Sequence, residues 1–189
     1  MIQQIFKVES LFNNNLFKLK GYLLRLYFKI HGCKVGERLR CHTFPRFRIP
    51  PHNNFFIGDD VTIGYDITFE ILKGGSLHIA NFVKLTQNII VSSGCEIKIG
   101  AYSLFGENTS IRDGDHNISF DTPITFQDST YMPILIGKDV WIGAGCLILK
   151  GSNIPDGVII GANSVVINSS KMESYNIYAG SPIKNIGSR

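Results

Sequence analysis

A six-residue spacing constrains this chain more than any other feature. Ile136, Ile142, Ile148, Ile154, Ile160 and Val166 follow one another at intervals of six without a break. Shorter runs at the same interval are Ile57, Ile63 and Phe69; Ile79, Leu85, Val91 and Ile97; and Ile99, Phe105 and Ile111. Glycine follows the aliphatic position at Gly58, Gly64, Gly100, Gly106, Gly137, Gly143 and Gly161, and small or β-branched residues precede it by two at Val61, Val140, Cys146, Ser152, Val158 and Ser164. A period of six is neither that of a helix nor that of an alternating strand. It suits a short strand and a tight corner, three of which close one triangular coil. The aliphatic residue points into a narrow core, the small residue fits inside the corner, and glycine permits a corner backbone that a side chain would hinder. One hexad cannot bury its face alone, so coils stack, pair their strands in parallel and share a core. The expected fold class is all-β, a parallel β-helix with a short N-terminal helical segment.

The repeat shifts phase at about residues 70–79, at 97–99 and between 111 and 136. The last break is the informative one. Residues 113–133, DGDHNISFDTPITFQDSTYMP, are polar, hold two prolines and fit no hexad. A loop this long inside a tight solenoid points to function.

Upstream of the repeat the pattern is different. Ile5, Val8, Phe12, Leu16, Leu19, Leu23, Leu26, Tyr27 and Ile30 recur at mixed three- and four-residue spacing, which is helical. Asn13–Asn15 are expected to split this stretch into two short helices. Residues 1–50 carry ten Lys and Arg against Glu9 and Glu37, a net +8 within a chain whose total is +4. The expected organisation is a basic helical capping segment at 1–54 and a β-helix domain at 55–187, with an inserted catalytic loop at 113–133. A second reading makes the basic segment an amphipathic helix in peripheral contact with an anionic membrane. No recognised nucleic-acid motif accompanies the charge, so nucleic acid is not an expected partner. The stretch GYLLRLYF is broken by Arg25 and is too short to span a bilayer, and no small-residue cleavage site follows it. The four cysteines are widely spaced with no C-x-x-C pair, which argues against a disulfide framework or zinc site and for a reducing, cytoplasmic setting.

The string IGKDVWIGAGCLILKGSNIPDGVIIGANSVV at 136–166, followed by IYAGSPIKNI at 177–186, resembles the hexapeptide-repeat acyltransferases. The closer likeness is to their sugar and polysaccharide O-acetyltransferase branch, and it covers roughly residues 55–187. The resemblance implies a left-handed β-helix, a homotrimer and acetyl-CoA as cosubstrate. In that branch a histidine sits on a loop just upstream of a Trp-Ile-Gly coil; here His116 precedes Trp141. The resemblance further implies a CoA groove between two subunits, with Ala144, Gly161 and Ala162 along the pantetheine arm and Lys184 at a CoA phosphate. Ile167 and Asn168 stand where many relatives have Thr-Lys. Asn88 lies near the position of an acceptor-binding asparagine, although Thr86 fits that register equally well.

Acyl transfer to a hydroxyl needs a base that deprotonates the acceptor as it attacks the thioester, and a neutral imidazole suits that role. His116 is singled out among five histidines because it opens the inserted loop. His31, His42 and His52 lie in the basic segment, and His78 adjoins a core position and is expected to face outward. Asp113, Asp115 and Asp128 share the loop with His116; any of them could orient its ring, and all three also fit as turn formers. Trp141, the only tryptophan, is expected to face outward, against a sugar, the CoA cleft or a neighbouring subunit. The expected function is acetyl-CoA-dependent O-acetylation of a sugar hydroxyl on a polysaccharide or its precursor. The alternative is N-acetylation of a nucleotide-linked amino sugar. A zinc-dependent β-helix enzyme would need three histidines in neighbouring coils, and only His78 and His116 lie within the repeats, so no metal is expected. A non-enzymatic scaffold would lack affinity for CoA.

Overall fold

A computed structural model describes residues 2–189, with side chains from residue 11 onward. It is a parallel β-helix of about seven turns preceded by one helix. The first face stacks Lys34–Val35, Phe55–Ile57, Ser76–Ile79, Glu96–Ile99, Ile134–Ile136 and Asn153–Ile154. The second stacks Arg40–Cys41, Thr62–Tyr65, Lys84–Gln87, Leu104–Phe105, Trp141–Ile142, Ile159–Ile160 and Asn176–Gly180. Ile183–Ser188 then folds back antiparallel on the last of these. The third face stacks Arg46–Phe47, Thr68–Ile71, Ile90–Ser93, Ser110–Arg112, Leu147–Ile148 and Val165–Val166.

The aliphatic hexad positions fill the interior. Ile63, Leu85, Phe105, Ile142 and Ile160 form one buried column, and Phe69, Val91, Ile111, Ile148 and Val166 another. Each such side chain contributes about 1.5–3 kcal/mol by leaving water, which is why the aliphatic position is filled without a gap. The small residues before it line the corners from inside. Their hydroxyls, buried with them, donate to corner carbonyls: Ser103 Oγ to Gly137 O at 3.1 Å, Thr109 Oγ1 to Gly143 O at 3.2 Å and Ser164 Oγ to Gly161 O at 2.7 Å.

The glycines have a different reason from the one expected. Those after the aliphatic position do not adopt the left-handed conformation; the residues two places later do, among them Asp60, Asp139 and Asn163 at φ 55–57°. What glycine permits is close stacking of successive coils. A Cβ on Gly143 would lie 2.6 Å from Ala162 N, and one on Gly58 would lie 2.8 Å from Asn81 N.

The breaks in the repeat have a common location. Trp141 pairs with Ile159 and Leu147 with Val165, each eighteen residues on, so these coils are three plain hexads. Phe56 pairs with His78, 22 residues on, and Lys84 with Leu104, 20 residues on. Within those coils the steps Ile57–Ile63–Phe69 and Ile79–Leu85–Val91 are still six. All extra residues therefore sit at one corner, between the third face and the first. A corner can bulge outward without disturbing ladders that remain in register on either side. In the fourth coil that same corner holds residues 113–133.

The parallel ladder also begins well before the expected boundary at 54/55, because Lys34–Val35 already pairs with the strand at Phe55–Ile57. The chain before it is a single helix, Ile2–Ile30, and Asn13–Asn15 lie within it rather than breaking it. Each asparagine costs up to about 0.7 kcal/mol in a helix, about 2 kcal/mol for the three, too little to interrupt hydrogen bonding that continues on both sides. This helix covers the open end of the first coil. Leu24 and Phe28 are fully buried, and the Phe28 ring meets Phe55 at 5.1 Å and Phe47 at 5.5 Å. Gly21 sits against the Leu39 carbonyl, where no Cβ would fit.

Candidate active site

The inserted segment is more ordered than its composition suggests. Gly114–His116 and Ser129–Tyr131 form an antiparallel hairpin in which His116 stands opposite Ser129 and Gly114 opposite Tyr131. A short 3₁₀ turn, Ile124–Phe126, lies near its tip. The hairpin is tied to the solenoid at its base. Asp113, 1% exposed, accepts from Ser93 Oγ at 2.6 Å, Gly94 N at 2.7 Å and Cys95 N at 2.9 Å. Gly94 and Cys95 are themselves the extra residues of the coil below. The Tyr131 ring lies over Gly94 and Gly114; a Cβ on Gly114 would come 2.5 Å from its Cε1. Met132 N donates to Asp113 O at 2.9 Å and closes the neck of the loop.

His116 is exposed at the rim of a recess of about 220 Å³, which is also lined by Glu70, Ser92, Arg112, Ser129 and Tyr131. Glu70, Ser92 and Arg112 come from three successive coils and stand in register on the third face. Glu70 Oε2 accepts from Arg48 Nη1 at 3.1 Å and from Ser92 Oγ at 3.0 Å, so its charge is partly matched. Arg112 donates through Nε to Ser110 Oγ at 3.0 Å and forms no ion pair among the described residues. The recess thus offers an imidazole, hydroxyls and a guanidinium with free donors. That set can accept a proton and hold a polar, hydroxyl-bearing molecule.

The three loop carboxylates do not orient His116. Asp113 is committed to the loop base, Asp115 pairs with Lys150 at 3.4 Å, and Asp128 is exposed with its carbonyl accepting from Asn117 N. The neighbour of the ring is Ser129, whose Oγ lies 3.4 Å from Nδ1. Asn88 lies at the opposite edge of the third face, at φ 50°, and donates to Asn108 Oδ1 at 2.8 Å. Thr86 gives its hydroxyl to Phe105 O. Trp141 faces outward, half exposed, on a strand of the second face, in register with Leu104 and Ile159.

The residues considered for CoA divide into two places. Ala144, Gly161 and Ala162 come together at the corner between the second and third faces, where Asn163 N donates to Ala144 O at 2.8 Å. Lys184 stands opposite Ala179 in the terminal hairpin, one coil beyond Gly161. Ile167 and Asn168 follow Val166 at the other edge of the third face, where Ile167 N is held by Ser170 Oγ at 3.1 Å. His78 and His42 stack on aromatic rings. His78 stacks on Phe56 at 4.2 Å, and burial, with help from Lys98 and against Glu96, lowers its pKa. His42 stacks on Phe17 at 4.0 Å. An open groove of about 640 Å³ on the first face, past Lys34, Phe56, His78 and Lys98, contains none of the candidate residues.

Glu70, Ser92, Arg112 and Ser129 escaped the sequence reading. The first three each follow a core apolar residue, Phe69, Val91 and Ile111, so they become visible once those hexads are aligned by coil. Ser129 depends on the hairpin register, for which the sequence holds no comparable signal.

No protein-family model matches the chain. The probable acetyltransferase Rv3034c of Mycobacterium tuberculosis is 32% identical over 156 residues, covering 82% of this chain and 49% of that protein. The chain therefore spans about half the length of that relative. Among solved structures, the polysialic acid O-acetyltransferase OatWY superposes with a TM-score of 0.66 at 26% identity, covering 82% of this chain and 72% of that one. The N-acyltransferase AntD from Bacillus cereus, in complex with dTDP and 3-hydroxybutyryl-CoA, gives a TM-score of 0.71 at 20% identity over 85% of each chain, a likeness of fold. A hexad repeat folded into a parallel solenoid, one corner loop bearing a histidine, and these relatives agree: in sequence and fold the chain is similar to the hexapeptide-repeat acyltransferases.

Proposed function

We propose that this protein transfers the acetyl group of acetyl-CoA to a sugar hydroxyl of a polysaccharide or its precursor, with His116 as general base. The observation that carries the reading is the placement of His116. It is the one histidine on the inserted hairpin, and it faces a recess whose other groups are polar and partly unpaired. With Nδ1 protonated toward Ser129 Oγ, Nε2 keeps its lone pair and can take the acceptor proton. The acceptor oxygen attacks the thioester carbonyl, the C–S bond breaks, CoA leaves as the thiol, and the proton passes from imidazole to sulfur. Arg112 and Glu70 hold acceptor hydroxyls in line, which is a positioning contribution. The likeness to OatWY, named for polysialic acid O-acetylation, supports a glycan acceptor.

For the cosubstrate, we assign the pantetheine arm to Ala144, Gly161 and Ala162 and a CoA phosphate to Lys184; the meeting of the first three at one corner, one coil before Lys184, supports this reading. A homotrimer would complete that groove with a second copy. Turnover of acetyl-CoA with a panel of sugars and amino sugars tests the whole reading. Loss of a general base lowers turnover about 10²–10⁴-fold, so His116→Ala should fall in that range with its melting temperature unchanged. Equal turnover by His116→Ala and wild type refutes the role of His116. Activity restricted to amino sugars replaces O- by N-acetylation. Absence of a CoA-dependent thermal shift refutes cosubstrate binding.

A further inference from the structure

The N-terminal helix is apolar on two opposite faces, and the solenoid uses only one. Gly21, Leu24 and Phe28 are buried against the first coil. On the far side Leu11, Leu19, Tyr22, Leu23, Leu26 and Ile30 are exposed, Ile30 to 73% and Tyr22 to 60%. At helical rise this stripe runs about 28 Å. A surface helix normally turns a polar face to water, and one that is apolar all round has a second apolar environment.

Beside the stripe lies a recess of about 390 Å³ between the helix and the first coil, lined by Lys18, Tyr22, Arg25, Arg38, Arg40 and Asp60. Arg38 is matched by Asp60 at 2.7 Å. Lys18, Arg25 and Arg40 form no ion pair among the described residues, and Arg25 Nε is buried without a hydrogen-bond partner. Together with Lys29 they put unmatched positive charge along one edge of an apolar stripe.

We propose that this helix lies on an anionic lipid bilayer, with the stripe in the acyl boundary and the Lys18–Arg25–Arg40 recess holding a lipid headgroup phosphate. No helix among the described residues is long and apolar enough to cross a membrane, so the contact runs along the surface. A second copy fits worse as the occupant. It would bring one segment of net charge +8 against another, whereas an anionic surface neutralises it. The inference does not rest on the proposed chemistry and leaves the His116 recess free, since the helix caps the first coil and His116 follows the fourth.

Co-sedimentation of the whole chain with phosphatidylcholine vesicles, with and without phosphatidylglycerol, tests it. Wild type is expected to pellet with the anionic vesicles and to be released by high salt. Each of Lys18→Gln and Arg25→Gln should weaken partition about fivefold. Leu19→Ser with Leu26→Ser should abolish it while melting temperature and oligomeric mass stay unchanged, because neither side chain faces the coil. Failure of wild type to bind anionic vesicles overturns the proposal, as does equal binding to neutral ones. A drop in oligomeric mass in the leucine double variant also overturns it and assigns the stripe to a second copy.

Discussion

Replacing Asp113 by alanine tests how the hairpin is held. The carboxylate takes three hydrogen bonds while almost wholly buried, from Ser93 Oγ at 2.6 Å, Gly94 N at 2.7 Å and Cys95 N at 2.9 Å. Alanine removes all three acceptor contacts. Ser93 Oγ retains Ser76 O at 3.2 Å, so the loss falls on the two backbone amides, which are given no other acceptor. An unsatisfied buried donor costs about 1–3 kcal/mol, which puts the total near 4 kcal/mol. Asp113→Asn keeps one acceptor oxygen but turns an amide N–H₂ toward a donor, and about 2 kcal/mol is expected on the same basis. With a urea slope of about 2 kcal/mol/M, the alanine variant should lose about 2 M in midpoint and the asparagine variant about 1 M. Coils in a solenoid contact mainly their neighbours, so hydrogen exchange should rise at residues 90–95 and 110–116 and stay unchanged in the N-terminal coils. A midpoint within about 0.3 M of wild type for Asp113→Ala would refute the argument that this carboxylate holds the loop base. Proposed turnover should fall with it, since the strand after Asp113 carries His116.

Glycine at the hexad position is tested by Gly143→Ala, whose Cβ would sit 2.6 Å from Ala162 N and 2.9 Å from Ile160 O. Overpacking against backbone costs about 1–3 kcal/mol, whereas Gly187→Ala, with nothing within 4 Å, should be neutral by the same denaturation assay. Stability should also fall in mild acid. Burial first, then Arg40 and Lys20, lower the pKa of His42 below its ordinary 6.5. As pH drops through about 6.5, the unfolded chain therefore binds a proton before the folded one does, and folding stability is lost from there down to the folded pKa. His42→Phe should flatten the dependence of melting temperature on pH in that window, leaving the part due to His78, whose pKa is lowered in the same direction; an unchanged slope would rule out the assignment.

The solenoid was legible because its cause is local and repeated. An aliphatic residue every six positions can be buried only by a triangular coil, and Ile136 to Val166 state that rule without exception. The loop was legible for the converse reason, since DGDHNISFDTPITFQDSTYMP has no hexad to offer, and His116 stood out within it. What the glycines do is not legible in sequence, because close approach of a neighbouring coil, as at Gly143 and Ala162, is a distance between segments and leaves no mark in a single hexad. The local pattern at Asn13–Asn15 hides the single N-terminal helix, because helix continuity there outweighs a weak local preference.

Sequence alone therefore determined the period, the coil and the position of the interruption, all of which follow from which side chains must leave water. Only the tertiary structure decided that every insertion falls at one corner, that Asp113 is an anchor, and that Glu70, Ser92, Arg112 and Ser129 surround His116. Those relations join residues 13 or more positions apart through inter-coil register and hairpin pairing. Register is fixed by stacking of whole coils, and no local pattern encodes it.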